Sequence, residues 1–200
     1  VRFVLDVFRY LHQDVHEFPT GLHISIDTTD FYTDTGEKLG LGSSAALTVG
    51  MVAAFFRIVM NGDYDENDVF NTSIEAHRYA QDGAGSGIDI AAGSYGGVLR
   101  YSRENKGVQR MSHPEDLHII PVWTGRSAST RDLLYHLEKR RIETPDRYKE
   151  LIKSLTGIST GACESFRQGN SPAFLRSVER YYSALSDLGN YIGQPIISTE

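Results

Sequence analysis

The run Gly40-Leu41-Gly42-Ser43-Ser44-Ala45-Ala46 constrains this chain more than any other stretch. It is a turn of small residues that feeds straight into an apolar helical segment, Ala45 to Met60. Glycines let the backbone approach a ligand closely, and the first amides of a helix have no partner inside it. Those amides and the helix dipole together make a site for an anion, phosphate above all. Lys38, just upstream, adds a mobile positive charge. The pattern points to phosphoryl transfer. It is neither GxxxxGK(S/T) nor GxGxxG, so the families marked by those motifs are not implied. Without a ligand, the same turn reads as a helix start capped by Ser43 or Ser44.

A second constellation strengthens the phosphate reading. Gly83-Ala84-Gly85-Ser86-Gly87-Ile88-Asp89-Ile90-Ala91-Ala92 runs on to Tyr95-Gly96-Gly97. It sets one carboxylate among glycines and small apolar residues; as a purely structural device, Asp89 would cap a helix. Composition narrows the partners. The net charge of −6 and a pI near 5.6 argue against a general nucleic-acid or anionic-membrane binder, leaving room for a local cationic pocket. Cys163 is the only cysteine, so no internal disulfide forms and a reducing compartment is expected. No apolar run reaches the ~18–20 residues of a membrane helix. With no leader visible, the cytoplasm is the expected location.

Residues 1–12 read as an amphipathic helix with Val1, Val4, Leu5, Phe8 and Leu11 on its apolar face. Leu22, Ile24 and Ile26 alternate like a strand, and Asp27 to Lys38 is a polar loop. The helix after the glycine run is apolar nearly all round and is expected to be buried. Asp68 to Gln81 predicts a second helix and Gly96 to Ser102 a strand, followed by a charged turn at Arg103–Gly107. His113-Pro114-Glu115-Asp116 marks a domain junction. Beyond it, Leu117–Trp123 predicts a strand and Ser129–Arg140 a helix. Thr144-Pro145-Asp146 and Ser171-Pro172 each open a helix, with a capping residue and proline in the first turn. The class is α+β, with a mostly helical second half.

Other clusters are read as structural. His12 and His16 have i,i+4 spacing but no HExxH glutamate and no third ligand. Cys163 is packing. Tyr181, Tyr182 and Tyr191 belong to a helix face, and Glu138-Lys139-Arg140-Arg141 is a solvated helix end.

In this order and separation, KLGLGSSAA and GSGIDIAAGSYGGVLRY resemble the GHMP kinases, the superfamily of galactokinase, homoserine kinase, mevalonate kinase and phosphomevalonate kinase. Ala76-His77 and Ala80-Gln81, ahead of the second motif, make the phosphomevalonate kinase family the most similar branch. Trp123-Thr124-Gly125-Arg126-Ser127-Ala128-Ser129-Thr130 is similar to a substrate-side segment there. The resemblance implies two lobes: an N-terminal one like ribosomal protein S5 domain 2 (residues 1–113) and a partial ferredoxin-like C-terminal one (114–200). It implies ATP and Mg²⁺ as cofactors and a phosphorylated small molecule, 5-phosphomevalonate, as acceptor. Mevalonate or a sugar is the alternative acceptor, and a non-catalytic nucleotide-binding fragment is the alternative of another class.

The resemblance also assigns roles. Gly40, Leu41, Gly42, Ser43, Ser44 and Ala45 would hold the ATP phosphates, and one serine hydroxyl, Ser44 in preference, would help hold Mg²⁺. Asp89 matches the carboxylate beside the attacking oxygen, and Lys38 would neutralise charge between donor and acceptor. Ser86, Gly87, Ser127, Ser129 and Thr130 would contact the acceptor. Several relatives place a magnesium-binding glutamate about eleven residues before the aspartate; here that position is Arg78. Glu75, one helical turn earlier, is the candidate carboxylate, with Asp82 nearer the turn. The family's first and third motifs would lie before residue 1 and after residue 200, so the chain is expected to be the central segment of a longer kinase.

Overall fold

The computed structural model describes residues 2–13, 21, 23–60, 62–83, 85–104, 106–125 and 130–197, with Thr130 and Arg131 described by backbone alone. The chain divides into two compact units, Val1–Arg110 and Met111–Glu200.

In the first unit, helix α1 (Arg2–His12), α2 (Ser43–Val59) and α3 (Glu66–Ala80) pack on one another around Val7, Leu11, Val52, Val69 and Ala76. Phe3, Tyr10, Phe55, Phe56 and Tyr64 close that cluster. The apolar face of α1 differs from the expected one. Val7 and Leu11 are buried, while Leu5 is about half exposed. Arg2, Asp6 and Arg9 pair on the polar face of this helix, and on the other side Phe3 and Tyr10 meet His77 and Tyr79 of α3 as aromatic neighbours.

Helix α2 also departs from expectation. Its first half is covered, with Ala45, Thr48 and Val52 buried, but Ile58 and Met60 at its far end face out. An apolar surface is buried only where another element reaches it; α1, α3 and α4 pack against α2, and Ile58 and Met60 are left exposed. Helix α3 starts at Glu66, two residues before the predicted start. The Asp65 carboxylate accepts from the amides of Asn67 and Asp68, and Asp68 accepts from Asp65 in return. This reciprocal capping box sets the boundary.

Helix α4 (Ile88–Tyr95) leads into a two-stranded hairpin, β1 (Val98–Ser102) and β2 (Gly107–Met111). Ala45, Phe70, Ile74, Ile90 and Ala91 form a second core cluster, with Leu99, Tyr101 and Val108 of the hairpin against it. This cluster joins the starts of α2 and α4 to the body of α3, and so locates the site. Strand β2 was not expected, because Gln109 and Arg110 interrupt its apolar alternation. The expected strand through Ile24 and Ile26 is not formed. Both residues are exposed, Leu22 lies outside the described residues, and no described neighbour pairs with the segment. An extended run without a partner leaves its amides and carbonyls to solvent.

The second unit packs α5 (Thr130–Glu143), α6 (Pro145–Arg167) and α7 (Ser171–Ile192) around Leu151, Leu155, Leu188 and Ile192. The predicted strand Leu117–Trp123 pairs with no strand among the described residues; Leu117 is buried and Ile119, Ile120 and Val122 are exposed. Both proline-marked helix starts stand, but their caps differ from the reading. The Thr144 hydroxyl does not cap α6; it meets the Tyr191 hydroxyl at 2.7 Å. Asn170, not Ser171, caps α7 by accepting from Ala173, while Ser171 donates to Asp116 at 2.6 Å. No helix of the described residues is long and apolar enough to cross a membrane.

Candidate phosphate-binding site

The chain enters α2 through two left-handed glycines, Gly40 (φ 76°) and Gly42 (φ 71°). A side chain in that region of backbone space carries strain, so glycine is the residue that makes this turn cheaply. No side chain caps α2, and neither Ser43 nor Ser44 takes that role. The first bond of the helix is Ala46 N–H to the Gly42 carbonyl, at 3.0 Å. The amides of Ser43, Ser44 and Ala45 thus precede the ladder, aligned with the positive end of the helix dipole.

Asp89 closes one side of this start. It lies in the first turn of α4, and a Cβ added at Gly42 would stand 3.5 Å from its Cβ and Cγ. Helix α4 begins in the same manner as α2, at a left-handed glycine, Gly87 (φ 84°), with no capping side chain from that residue. A methyl group at Gly87 would sit 2.7 Å from the Tyr101 hydroxyl. That hydroxyl donates to the Ser86 carbonyl at 2.9 Å, and the Ser86 hydroxyl accepts from the Ile88 amide at 3.3 Å. Ser86 and Gly87 therefore hold the turn that presents Asp89.

Lys38 comes from the other direction. An antiparallel bridge between Tyr32 and Lys38 folds the polar loop back on itself. The lysine shares a cleft of about 660 Å³ with Thr28, Tyr32, Ser43, Ser44 and Gln81. Among the described residues it makes no ion pair, so its charge is available to an anion.

Sequence reasoning used one participant only as a mark of resemblance and gave it no role. His77 on α3 places Nε2 3.3 Å from the Ser44 hydroxyl and 3.2 Å from the Gln81 side-chain nitrogen. Burial lowers its pKa, opposed by the nearby Asp89 charge. The available signal was a polar pair one turn apart, His77 and Gln81, on the face of α3 that also carries Ile74.

Glu75 is not brought to this cluster. Two residues from His77, it leaves α3 on the other side, where Lys106 binds it at 2.8 Å and Arg78 lies at 3.6 Å. Ser127 and Ser129 lie outside the described residues, as does His16; Thr130 opens α5. The donors in the first unit fit a polyphosphate accompanied by a hard divalent cation. Amides and an ammonium suit phosphate oxygens, while the Ser44 hydroxyl and Asp89 carboxylate are oxygen ligands of the kind Mg²⁺ takes.

Residues 2–97 match the family model of the GHMP kinases N terminal domain. A phosphomevalonate kinase from Streptomyces sp. (strain CL190) is 26% identical over 191 residues, covering 82% of this chain and 50% of that protein. A mevalonate kinase from Thermococcus onnurineus is 29% identical over 119 residues, covering 60% of this chain and 34% of its own length. The chain spans about half the length, or less, of these curated relatives. The crystal structure of a Lin0012 protein from Listeria innocua superposes on 99% of this chain and 62% of its own, with a TM-score of 0.80 at 21% identity. That likeness concerns the fold.

Proposed function

We infer that this chain belongs to the GHMP kinase superfamily, and we propose that it serves ATP- and Mg²⁺-dependent transfer of a phosphoryl group to 5-phosphomevalonate. The products are 5-diphosphomevalonate and ADP. The observation that carries this reading is the uncapped start of α2, with Lys38 in the cleft beside it and Asp89 against Gly42. The similarity to phosphomevalonate kinase supports the choice of acceptor.

In this reading the amides of Ser43, Ser44 and Ala45 hold the phosphates of ATP. The Ser44 hydroxyl would help hold Mg²⁺, which would offset their charge. An oxygen of the acceptor's phosphate attacks the γ-phosphorus in line as the bond to ADP breaks. A phosphomonoester has a second pKa of ~6 and is largely dianionic at neutral pH. Such a nucleophile has no proton to lose, so charge compensation and placement dominate. Lys38 then acts through its charge and Asp89 through positioning. Ser86, Gly87, Ser127, Ser129 and Thr130 are the proposed acceptor contacts.

The similarity to a mevalonate kinase supports a second reading, with an alcohol as acceptor. There Asp89 would take the hydroxyl proton. Mg²⁺-ATP-dependent ADP release, measured with phosphomevalonate and mevalonate in parallel, separates the two. Release with phosphomevalonate alone supports the first reading, and release with mevalonate alone replaces it with the second. Nucleotide binding without turnover on either acceptor would count against both and favour a binding relative.

A further inference from the structure

We propose that His77 is a positioning residue that turns the Ser44 hydroxyl proton inward, leaving the oxygen lone pairs to face a cation in the cleft. The proposal rests on the kinase reading above and assigns a role to a residue which that reading leaves unused. It follows from the donors around one ring nitrogen. A glutamine side-chain nitrogen can only donate, and that of Gln81 lies 3.2 Å from His77 Nε2. With the Gln81 amide nitrogen facing the ring, Nε2 presents its lone pair and the ring proton sits on Nδ1. Ser44 Oγ lies 3.3 Å from the same Nε2, so its O–H also donates there. Both distances are at the long end for hydrogen bonds, as expected when two donors share one lone pair.

The ring is held in place. The Phe3 ring meets it edge-on at 5.7 Å, and a Cβ at Gly85 would stand 3.6 Å from Nδ1. A free serine hydroxyl can serve as donor to phosphate or as ligand to a metal. Once its proton points at His77, only the second use remains open toward the cleft. Phosphate is then left to the amides of residues 43–45 and to Lys38. His77 thus separates two tasks that adjacent atoms of one turn could otherwise confuse.

Two measurements on the full-length protein test this. Long-range ¹H–¹⁵N spectra with labelled histidine read the tautomer in the absence of ligand, and an Nδ1-protonated His77 is expected. ATP affinity is then measured with and without Mg²⁺ in wild type, His77→Phe and His77→Gln, with thermal melting as the check on folding. His77→Phe keeps a ring but no acceptor. It is expected to weaken the Mg²⁺-dependent part of binding by about 10–100-fold, the usual loss when a ligand's outer partner is removed. Mg²⁺-free binding should change far less. His77→Gln places a carbonyl oxygen near the position of Nε2 and is expected to restore most of the loss.

An Nε2-protonated His77, equal losses with and without Mg²⁺, or no recovery in a folded His77→Gln would each overturn the proposal while leaving the kinase reading intact. A wild-type protein that binds no Mg²⁺-ATP would overturn both.

Discussion

Helices α2 and α4 each begin at a left-handed glycine that supplies no capping side chain, whereas α3 and α7 begin at Asp65 and Asn170, whose side chains accept from their own first-turn amides. The same problem, how to satisfy the first amides of a helix, receives opposite treatments. At α3 and α7 the N-cap side chain solves it. At α2 the amides of Ser43, Ser44 and Ala45 are left ahead of the ladder, and Lys38, Asp89 and His77 gather around them. An uncapped start forgoes about 1 kcal/mol of local stability. It keeps amides free for a ligand, which a capping side chain would occupy.

If this contrast is functional, variants at the two kinds of start should separate catalysis from stability. The largest effect is expected from Lys38→Met, with phosphoryl transfer falling by about 10²–10³-fold, as when a positioned electrostatic partner is removed. Its melting temperature should stay near wild type, because the side chain is exposed and makes no ion pair among the described residues. A comparable loss of melting temperature would mean that Lys38 is structural.

Gly87→Ala should follow, this time in stability. The left-handed backbone and a methyl group 2.7 Å from the Tyr101 hydroxyl together are expected to cost about 2–4 kcal/mol, read by chemical denaturation. A near-neutral result would show that the Asp89 turn can shift freely. Asp89→Asn is expected to reduce turnover on phosphomevalonate by less than Lys38→Met does, and by less than the ~10²–10⁴-fold that a general base supplies. A loss matching that of Lys38→Met would favour an alcohol acceptor.

At the capped starts the signs reverse. Asn170→Ala should cost about 1 kcal/mol in denaturation and leave ATP affinity unchanged. The smallest effect concerns acid. Hydrogen bonds accepted from the backbone amides of Asp68 and, less strongly, Asn67 hold the Asp65 carboxyl below its ordinary value of 3.8, against an opposing effect of burial. Its capping contribution is therefore complete above that pH and is lost as pH falls through the lowered folded-state value. Asp65→Asn should reduce the acid sensitivity of melting in that window, and an unchanged acid profile would remove Asp65 as its source.

Most of the helix starts could be read in advance, because their signals are local. The glycines before α2 and α4, the carboxylate at Asp89 and the prolines at 145 and 172 act through the backbone of their own neighbourhoods. Elsewhere the outcome depended on partners distant in the chain. The apolar alternation at Ile24 and Ile26 predicts a strand, but without a described neighbouring strand none forms. Glu75 has the composition of a metal ligand, yet Lys106, thirty-one residues away, binds its carboxylate.

The sequence by itself determined roughly where α2, α3, α6 and α7 start, through φ preferences and hydrogen bonds spanning a few residues, but not their caps: neither Ser43, Ser44 nor Thr144 caps a helix, and Asn170 rather than Ser171 caps α7. Only the tertiary structure decided what surrounds the uncapped turn. The core of Ala45, Phe70, Ile74, Ile90 and Ala91 draws α2, α3 and α4 together and thereby sets Asp89 against Gly42 and His77 against Ser44. Those contacts span more than thirty residues. They form only when apolar burial has brought the helices into contact.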